Sequence, residues 1–498
     1  MVGATWVLLA ALMLFATSLL MHGFIDGRWA FARLPITWFY ASWLIGLLLL
    51  AMPLFRYFEA FSAETAGYLL AVLAAFSAGS VIAAFWARRS SRPARQTGAS
   101  GVPTPGADVS STLLVTLLVL GVVGTSLLMV NTVLGGNLSL SDRLDSANFA
   151  AVRSQTMSSE ISAIGPLFGP ATLMSSIGSL GVAFVFYLRG ARAAGAAARS
   201  KWLRRLALFV LVINMLVGFV GFGSRMFAIF GVLVAFFAFM EGRWSIGERL
   251  IAKRLTFKGF FVILLSAIVT LVALWVAATI FLEKRVQRQD PQTLLYRTHR
   301  ASFSPLVYDL TRNDRPTQYF MLSLSYLTTP IPTLTFYLDL PESRQPGPFY
   351  GEYDFPAVWR WGRRLTFSGD PYSWEKARYD IFKPLGDIGF GTNVWSTLVR
   401  DLMADFGKSG ALAFLAVLGF FVQRVFDLQR QAPSARRAGL LVYLRLLLVF
   451  AGLISMLFMT QIYWPLYLAA VLAILGGGKA RRVASASSLV IKPASFRT

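Results

Sequence analysis

Four arginines and one histidine gather at the start of a long polar interval and are the residues best suited to chemistry. They are Arg285, Arg288, Arg297, His299 and Arg300. Arginine binds phosphate oxygens bidentately and stays charged, so the cluster predicts a cradle for a diphosphate. A neutral imidazole can accept the proton of an attacking hydroxyl, and the neighbouring arginines should keep His299 neutral. The alternative is a surface histidine that only forms hydrogen bonds.

Aspartates of the same interval are rival bases, because a carboxylate can also activate a hydroxyl. They are Asp309, Asp314, Asp401 and Asp405. Asp401 and Asp405 lie four residues apart on a predicted helix that Thr392 or Asn393 caps and Gly407 ends. Asp405 falls in the last turn, where the helix dipole disfavours a carboxylate. Either a hydrogen bond to a neighbouring loop or a role toward the substrate would keep it there.

Aromatic rings and two further arginines complete the set of candidates. Trp359 and Trp361, in the run WRWGRR, can cover the apolar faces of sugars, or they anchor the loop at the lipid interface. Arg225 lies between two apolar runs, where a functional partner or snorkelling to the interface would offset the cost of the charge. Arg153 lies in a shorter connection and is a further candidate for binding an anion.

The composition indicates that membrane helices position these side chains. Hydrophobic residues make up 56% of the chain and charged residues 14%, as in an integral membrane protein. The net charge of +23 is explained by basic residues that set membrane topology, so no nucleic-acid partner is predicted. The chain has no cysteine and two histidines, which excludes disulfides and thiolate chemistry and leaves too few ligands for a His-rich metal site. We therefore predict no metal and no cofactor.

Apolar stretches of roughly 20 residues predict an all-α polytopic protein with about eleven transmembrane helices. The predicted spans are Thr5–Met21, Thr37–Leu54, Gly67–Trp86, Thr112–Val133, Pro166–Tyr187, Leu206–Gly221, Met226–Met240, Phe260–Phe281, Gly410–Val425, Leu440–Met459 and Trp464–Leu475. They divide the chain into an N-terminal bundle (1–282, with a flexible linker at about 90–110), one large polar loop (283–408), C-terminal helices (409–477) and a tail (478–498).

The distribution of basic residues predicts which face of the membrane carries the loop. Every alternate connection is rich in Lys and Arg, which places those connections and the C-terminus in the cytoplasm. The N-terminus and the large loop then lie on the extracytoplasmic side. Within the loop, Gln318–Leu340 is apolar but contains Pro330 and Pro332, and we interpret it as helix, break, helix that lies against the membrane face or dips into a protein-lined cavity. A twelfth span is the alternative.

Several short motifs resemble those of one enzyme family. The stretch Gly391-Thr-Asn-Val-Trp-Ser-Thr-Leu with Asp405-Phe-Gly-Lys-Ser-Gly410, followed by a span, resembles the NVYT…DFGxxG region of Wzy-type oligosaccharide repeat-unit polymerases of O-antigen and exopolysaccharide assembly. Tyr326-Leu327 with Pro330-Ile331 is similar to the family's Y-L-x-x-P helix, and Gly223-Ser-Arg225 lies at the start of a span as in these enzymes. A tryptophan, Trp395, stands where the family more often has tyrosine.

The resemblance implies a fold like the glycosyltransferase type C superfold and a metal-independent transfer between undecaprenyl-diphosphate-linked oligosaccharides at a bacterial inner membrane. His299, Asp401 and Asp405 would be the candidate bases. The substrate would be bound by Tyr326, Asn393, Trp359, Trp361 and the arginines Arg153, Arg225, Arg285, Arg288, Arg297 and Arg300. Expected partners are membrane lipid and a polysaccharide co-polymerase that regulates chain length.

Two other functions fit parts of the pattern. An O-antigen ligase has similar chemistry but a different acceptor. A flippase or transporter of lipid-linked oligosaccharides would need charged residues distributed through several spans to line a passage, whereas here we expect them to gather in the loop.

Overall fold

The structure, a computed structural model, describes most of the helical part of the chain. The described residues are 2–26, 33–58, 61–90, 108–134, 167–191, 200–218, 225–245, 290–341, 347–350, 352, 354–355, 383, 387, 397–457, 459 and 462–475. Their elements in chain order are α1 (Val2–Asp26), α2 (Pro35–Ala51), β1 (Phe55–Tyr57), α3 (Ala63–Ser90), α4 (Ser111–Leu134), α5 (Phe168–Gly190), α6 (Lys201–Leu216), α7 (Arg225–Ser245), α8 (Pro291–His299), β2 (Ala301–Phe303), α9 (Pro305–Thr311), α10 (Arg315–Thr328), α11 (Pro330–Asp339), α12 (Leu398–Gln431), α13 (Ala435–Phe450) and α14 (Ile462–Leu475).

The chain is a multi-pass membrane protein. Among the described residues, five helices are long and apolar enough to cross a membrane: Gly3–Ile25, Ala63–Arg89, Ser111–Asn131, Gly169–Gly190 and Leu398–Gln431. The other predicted spans overlap helices in part: α2 and α14 are shorter apolar helices, and α13 ends at Phe450, so the second half of the predicted span Leu440–Met459 is not helical where it is described. The exception is the predicted span Phe260–Phe281, which lies outside the described residues. Apolar runs form helices because only an element that satisfies its own backbone hydrogen bonds is stable in lipid.

The helix that carries Asp401 and Asp405 is held by close packing between α3 and α12. Gly79 and Gly419 lie at this contact, and a Cβ on either would collide with the backbone of the other helix. Such small residues let two membrane helices approach closely and gain dispersion energy. The backbone N–H of Leu398, the first residue of α12, donates to the Ala451 carbonyl at 2.9 Å and fixes where α12 begins.

Two helices form over Gln318–Leu340, as predicted: α10 has 14 residues and α11 has 10. Their placement relative to the membrane stays a prediction. The two helices are divided at Thr329, which keeps helical backbone angles, because Pro330 and Pro332 have no N–H groups with which to continue the hydrogen-bond ladder. Ile331, Leu334 and Tyr337 of α11 are buried in the same apolar core as the membrane helices.

A two-stranded antiparallel sheet corrects the prediction that all secondary structure is helical. β1 follows α2 and pairs with β2, so that Phe55 opposes Phe303 and Tyr57 opposes Ala301. Together with α8, α9 and α10 the two strands enclose a small separate core, which contains Phe55, Leu295, Ala301, Phe303, Val307, Tyr319 and Leu322. We call this body, residues 54–58 and 290–328, the β1–β2 unit.

Candidate functional site

His299 ends α8 and lies completely buried at the edge of the β1–β2 unit. Asp290 caps the start of the helix by accepting a hydrogen bond from the Thr293 N–H at 2.9 Å. Arg300 takes a left-handed conformation with φ of 49° and terminates it. The turn directs the imidazole inward, against the Tyr326 ring, with the two ring centroids 4.5 Å apart in an edge-to-face arrangement.

The hydrogen bonds around His299 determine its tautomer. Its Nδ1 lies 2.9 Å from the Thr329 hydroxyl, and that hydroxyl donates its one hydrogen to the Ser325 carbonyl at 2.6 Å. The shorter distance favours donation to Ser325, so the hydroxyl is assigned as the acceptor from His299, with the proton on Nδ1 and a lone pair on Nε2. Among the described residues, Nε2 has no hydrogen-bond partner. Burial lowers the pKa of His299 to about 4, so the ring is neutral at physiological pH.

His299 is neutral, as predicted, and its burial is the cause that the structure shows. Loss of hydration in the protein interior lowers the pKa, whereas the sequence suggested repulsion by neighbouring arginines. Arg297 lies on the surface, and the Arg300 guanidinium lies 6.0 Å from the centroid of the Phe58 ring. Tyr57 of β1 closes the other side: its hydroxyl bonds to Thr328, and burial raises its pKa to about 12.

A second group of titratable side chains lies where the loop meets the start of α12. Arg400, Asp401, Asp405 and Asp354 are all completely buried there. The Arg400 guanidinium lies 3.4 Å from an Asp401 carboxylate oxygen. The Asp354 carboxyl accepts a hydrogen bond from the Ser455 hydroxyl at 2.8 Å. Four formal charges are thus removed from water, which is costly unless they compensate one another.

Asp405 is held by hydrogen bonds with the loop, the first of the two alternatives considered from the sequence. Its carboxylate accepts from the Asp354 N–H at 2.8 Å, and its carbonyl accepts from the Tyr350 N–H at 2.7 Å. The Phe349 N–H donates to the Ala404 carbonyl at 3.0 Å. The loop therefore satisfies carbonyls that the end of a helix leaves without partners.

The ends of this helical segment were predicted in part. Gly407 has φ of 71° and interrupts α12, which confirms it as the end of the first segment. The cap was wrong: the observed N-cap is Thr397, whose hydroxyl accepts from the Arg400 N–H at 3.1 Å. A helix that began at Thr392 or Asn393 would have continued through Thr397, which instead has extended backbone angles.

Burial and repulsion between carboxylates change the pKa of Asp354 in the acidic cluster. Burial, and then the negative charges of Asp401 and Asp405, raise the pKa of Asp354 well above its usual value. Arg400 opposes this shift less strongly. Among the described residues, the second carboxyl oxygen of Asp354, Oδ2, has no hydrogen-bond partner. Asp354 and His299 thus each present a buried polar atom that a bound molecule can engage.

The structure groups the predicted residues into two sites rather than one. His299 and Tyr326 form the first, and Asp401 and Asp405 belong to the second. Arg153, Arg285, Arg288, Trp359, Trp361 and Asn393 lie outside the described residues. Arg225 begins α7, and its side chain is outside the description.

Sequence reasoning missed Arg400, Asp354 and Ser455. Arg400 had a usable signal, because a basic residue directly before Asp401 on a largely apolar helix suggests a compensating charge. Asp354 and Ser455 had none, because only the folded chain brings residues so distant in sequence into contact.

Charged residues also lie between the membrane helices, which corrects the expectation that they gather in the loop. Arg445 of α13 and Glu241 of α7 form a buried ion pair, with a nitrogen–oxygen distance of 2.7 Å. A buried polar chain crosses three other helices. In it His22 of α1 bonds to Ser80 of α3 at 3.0 Å, Ser80 to Gln423 of α12 at 3.3 Å, and Gln423 to Asp427 at 3.1 Å.

Comparisons with protein-family models, with curated proteins and with solved structures find no match.

Proposed function

We propose that this chain polymerises lipid-linked oligosaccharide repeat units. A hydroxyl of the acceptor unit attacks the anomeric carbon of the growing glycan, and the bond from that carbon to the diphosphate oxygen breaks. Undecaprenyl diphosphate leaves with the bonding electrons, and a base takes the hydroxyl proton. The reaction needs one neutral base and cations for the negative charge that grows on the leaving group.

The observation that carries this proposal is the position of the two buried atoms identified above. Nε2 of His299 lies beside Tyr326, in the segment that resembles the family's Y-L-x-x-P helix. Oδ2 of Asp354 lies beside Asp405, in the segment that resembles DFGxxG. Two motifs of the resemblance therefore border a titratable group whose pKa is strongly perturbed, as is common at catalytic sites.

The chemistry assigns different roles to the two sites. His299 is the proposed base, because its Nε2 carries a lone pair at neutral pH, and Thr329 orients the ring through Nδ1. Asp405 is a positioning residue, because both its carboxylate and its carbonyl hold the loop. Asp401 is paired with Arg400 and is the alternative base. The arginines Arg153, Arg225, Arg285, Arg288, Arg297 and Arg300 are the proposed diphosphate ligands, and Trp359, Trp361 and Asn393 are proposed to contact the sugars.

Substrate access requires a movement of the β1–β2 unit. His299 is completely buried in the described conformation, so an acceptor hydroxyl reaches Nε2 only when α8 and β2 separate from the Thr328–Thr329 turn. Local openings of this kind are common at enzyme loops. In the proposed arrangement the loop lies on the periplasmic side of the inner membrane, with the N-terminus periplasmic and the C-terminus cytoplasmic.

The test is elongation of defined undecaprenyl-diphosphate repeat units by the purified protein without added metal. His299→Asn should lower the rate by about two orders of magnitude, the usual contribution of a general base. The matched control is His22→Asn, the same substitution at the chain's second histidine, which should leave elongation unchanged. Arg225→Ala should stop elongation while the protein stays folded.

Two results contradict the proposal. Full elongation by folded His299→Asn would remove His299 as the base, and a strict requirement for added metal would refute the mechanism. A ligase would differ in a deletion strain, because loss of a ligase leaves polymer on its lipid carrier, whereas loss of a polymerase leaves single capped units.

A transporter of lipid-linked oligosaccharides is the second candidate, favoured by the buried polar chain from His22 to Asp427. Proteoliposomes distinguish the two functions. A transporter moves labelled lipid-linked units between leaflets without lengthening them, whereas a polymerase lengthens units supplied on one side.

A further inference from the structure

Leucines stand exposed on α9, the short helix that follows β2. Leu306 is 61% exposed and Leu310 is 75% exposed, while Val307 and Thr311 between and beside them are buried in the β1–β2 unit. At about 100° per residue, Leu306 and Leu310 lie about 40° apart on one side of the helix. That side is distinct from the one that faces the unit's own core.

The start of α9 is held next to the end of a membrane helix. The Ser304 N–H, directly before α9, donates to the Leu54 carbonyl at 3.0 Å, and Phe303 pairs with Phe55. Leu54 follows the end of α2 at Ala51 by three residues, which span at most about 10 Å. The polar layer on each side of the hydrocarbon core is about 5 to 8 Å thick. The Leu54 N–H donates to the Met52 carbonyl at 2.8 Å, so these three residues form a turn and rise less than their extended length. With the end of α2 at the edge of the hydrocarbon core, α9 begins close to the lipid headgroups.

The neighbouring surface of α2 is apolar and exposed. Ile45, Leu48 and Met52 are 51%, 46% and 41% exposed, so an apolar side of the helix extends to its C-terminal end. Exposed leucines at that level are therefore placed to continue this apolar surface.

Basic residues follow the leucines. Arg312 directly follows α9 and Arg315 begins α10; both are exposed, as are the neighbouring Asp309 and Asp314. A short helix with an apolar side and nearby arginines is typical of a segment that lies in the membrane interface, where the cations attract anionic lipid phosphates.

We propose that α9 lies in the interfacial layer of the leaflet at the C-terminal end of α2, with Leu306 and Leu310 inserted among acyl chains and Arg312 and Arg315 at anionic headgroups. The occupant of this surface is the phospholipid bilayer. Because β2 connects α8 directly to α9, this contact fixes the height of His299 above the membrane. The proposal is independent of the reaction that the protein catalyses.

The absence of cysteine makes a direct test possible. Leu306→Cys and Leu310→Cys are each labelled with an environment-sensitive fluorophore and reconstituted as full chains in vesicles of equal parts phosphatidylglycerol and phosphatidylcholine. The matched control is Tyr308→Cys, because Tyr308 is also exposed but lies about 180° around α9 from the two leucines. Lipids that carry a doxyl quencher just below the headgroup should remove fluorescence at positions 306 and 310 and spare position 308.

The same labels distinguish the competing outcomes. Equal, water-like emission at all three positions would overturn the proposal. Blue-shifted emission that the lipid quencher does not affect, and that depends on protein density, would overturn it in favour of a second copy of the chain. Adding Arg312→Gln and Arg315→Gln should reduce quenching at 306 and 310 in anionic vesicles, and should have little effect in phosphatidylcholine alone. Unchanged quenching in anionic vesicles would contradict the assigned role of the arginines.

Discussion

Acidification should open the β1–β2 unit through protonation of His299. The buried ring has a pKa of about 4, whereas an exposed histidine has a pKa near 6.5. As the pH falls below about 6.5, His299 binds a proton in the opened state but not in the closed state. Stability is therefore fully present above pH 6.5 and is lost as the pH falls from about 6.5 to 4.

The size of the effect follows from these two pKa values. At pH 5 an exposed histidine is almost fully protonated and the buried one is almost fully neutral. The difference in proton binding destabilises the closed unit by about 2 kcal/mol at pH 5, or ~30-fold in the opening equilibrium. The limit, reached near pH 4 and below, is about 3 kcal/mol.

Amide hydrogen exchange measures this opening directly. The reporters are the Phe58 N–H, which donates to the Arg300 carbonyl, and the Ser304 N–H, which donates to the Leu54 carbonyl. After correction for the chemical exchange rate at each pH, protection should fall ~30-fold between about pH 7.5 and pH 5.

A substitution at the same position isolates the cause. His299→Asn keeps an N–H donor for Thr329 and does not titrate, so its protection should be independent of pH in this window. Because every other titratable group is retained, a loss of protection equal to that of the wild type would refute the assignment to His299. His22→Asn should keep the full pH dependence of the unit.

Further substitutions test the second site and the membrane core. Gly347→Ala places a Cβ against an α12 carbonyl at a residue with φ of 101°, and it should lower the free energy of unfolding by about 1 to 3 kcal/mol, measured by thermal unfolding. The control Gly169→Ala adds a Cβ in open space and should lower it by less. Equal losses of stability would contradict the clash at Gly347. Because the pKa of Asp354 is raised in the folded state, the stability that is present below its ordinary pKa is lost as the pH rises. Near pH 8 the Asp354→Asn protein should therefore unfold at or above the wild-type melting temperature. A lower melting temperature would argue against repulsion at the buried carboxylate. Glu241→Gln should cost about 3 to 5 kcal/mol, and adding Arg445→Met should recover part of it; additive losses would show that the pair does not interact.

Much of the fold could be predicted because lipid restricts the choice of structure. A run such as Ala63–Arg89 has no stable alternative to a helix in hydrocarbon, so hydropathy was sufficient. The pairing of β1 with β2 could not be predicted from hydropathy. Each strand has three residues, and Phe55 and Phe303 lie in distant parts of the chain, so no local periodicity connects them.

The candidate site was predictable in its residues but not in its surroundings. His299 was recognisable because it is the one histidine in the sequence of the loop, and Asp405 because it lies in the stretch that resembles DFGxxG. The cause of the His299 pKa was not recognisable, because burial depends on Tyr57 and Thr329 closing over the ring from other segments. Likewise the sequence allowed a loop contact for Asp405, but only the folded chain identifies Asp354 as its donor.

Closure and catalysis place opposite demands on His299. In the closed unit its low pKa makes it a weak base, shielded from any acceptor. A diphosphate bound nearby would add negative charge, and opening would restore hydration; both changes raise the pKa toward its ordinary value. A base is most effective when its pKa lies near the working pH. On the proposed function, His299 thus becomes an effective base only after substrate has opened the unit.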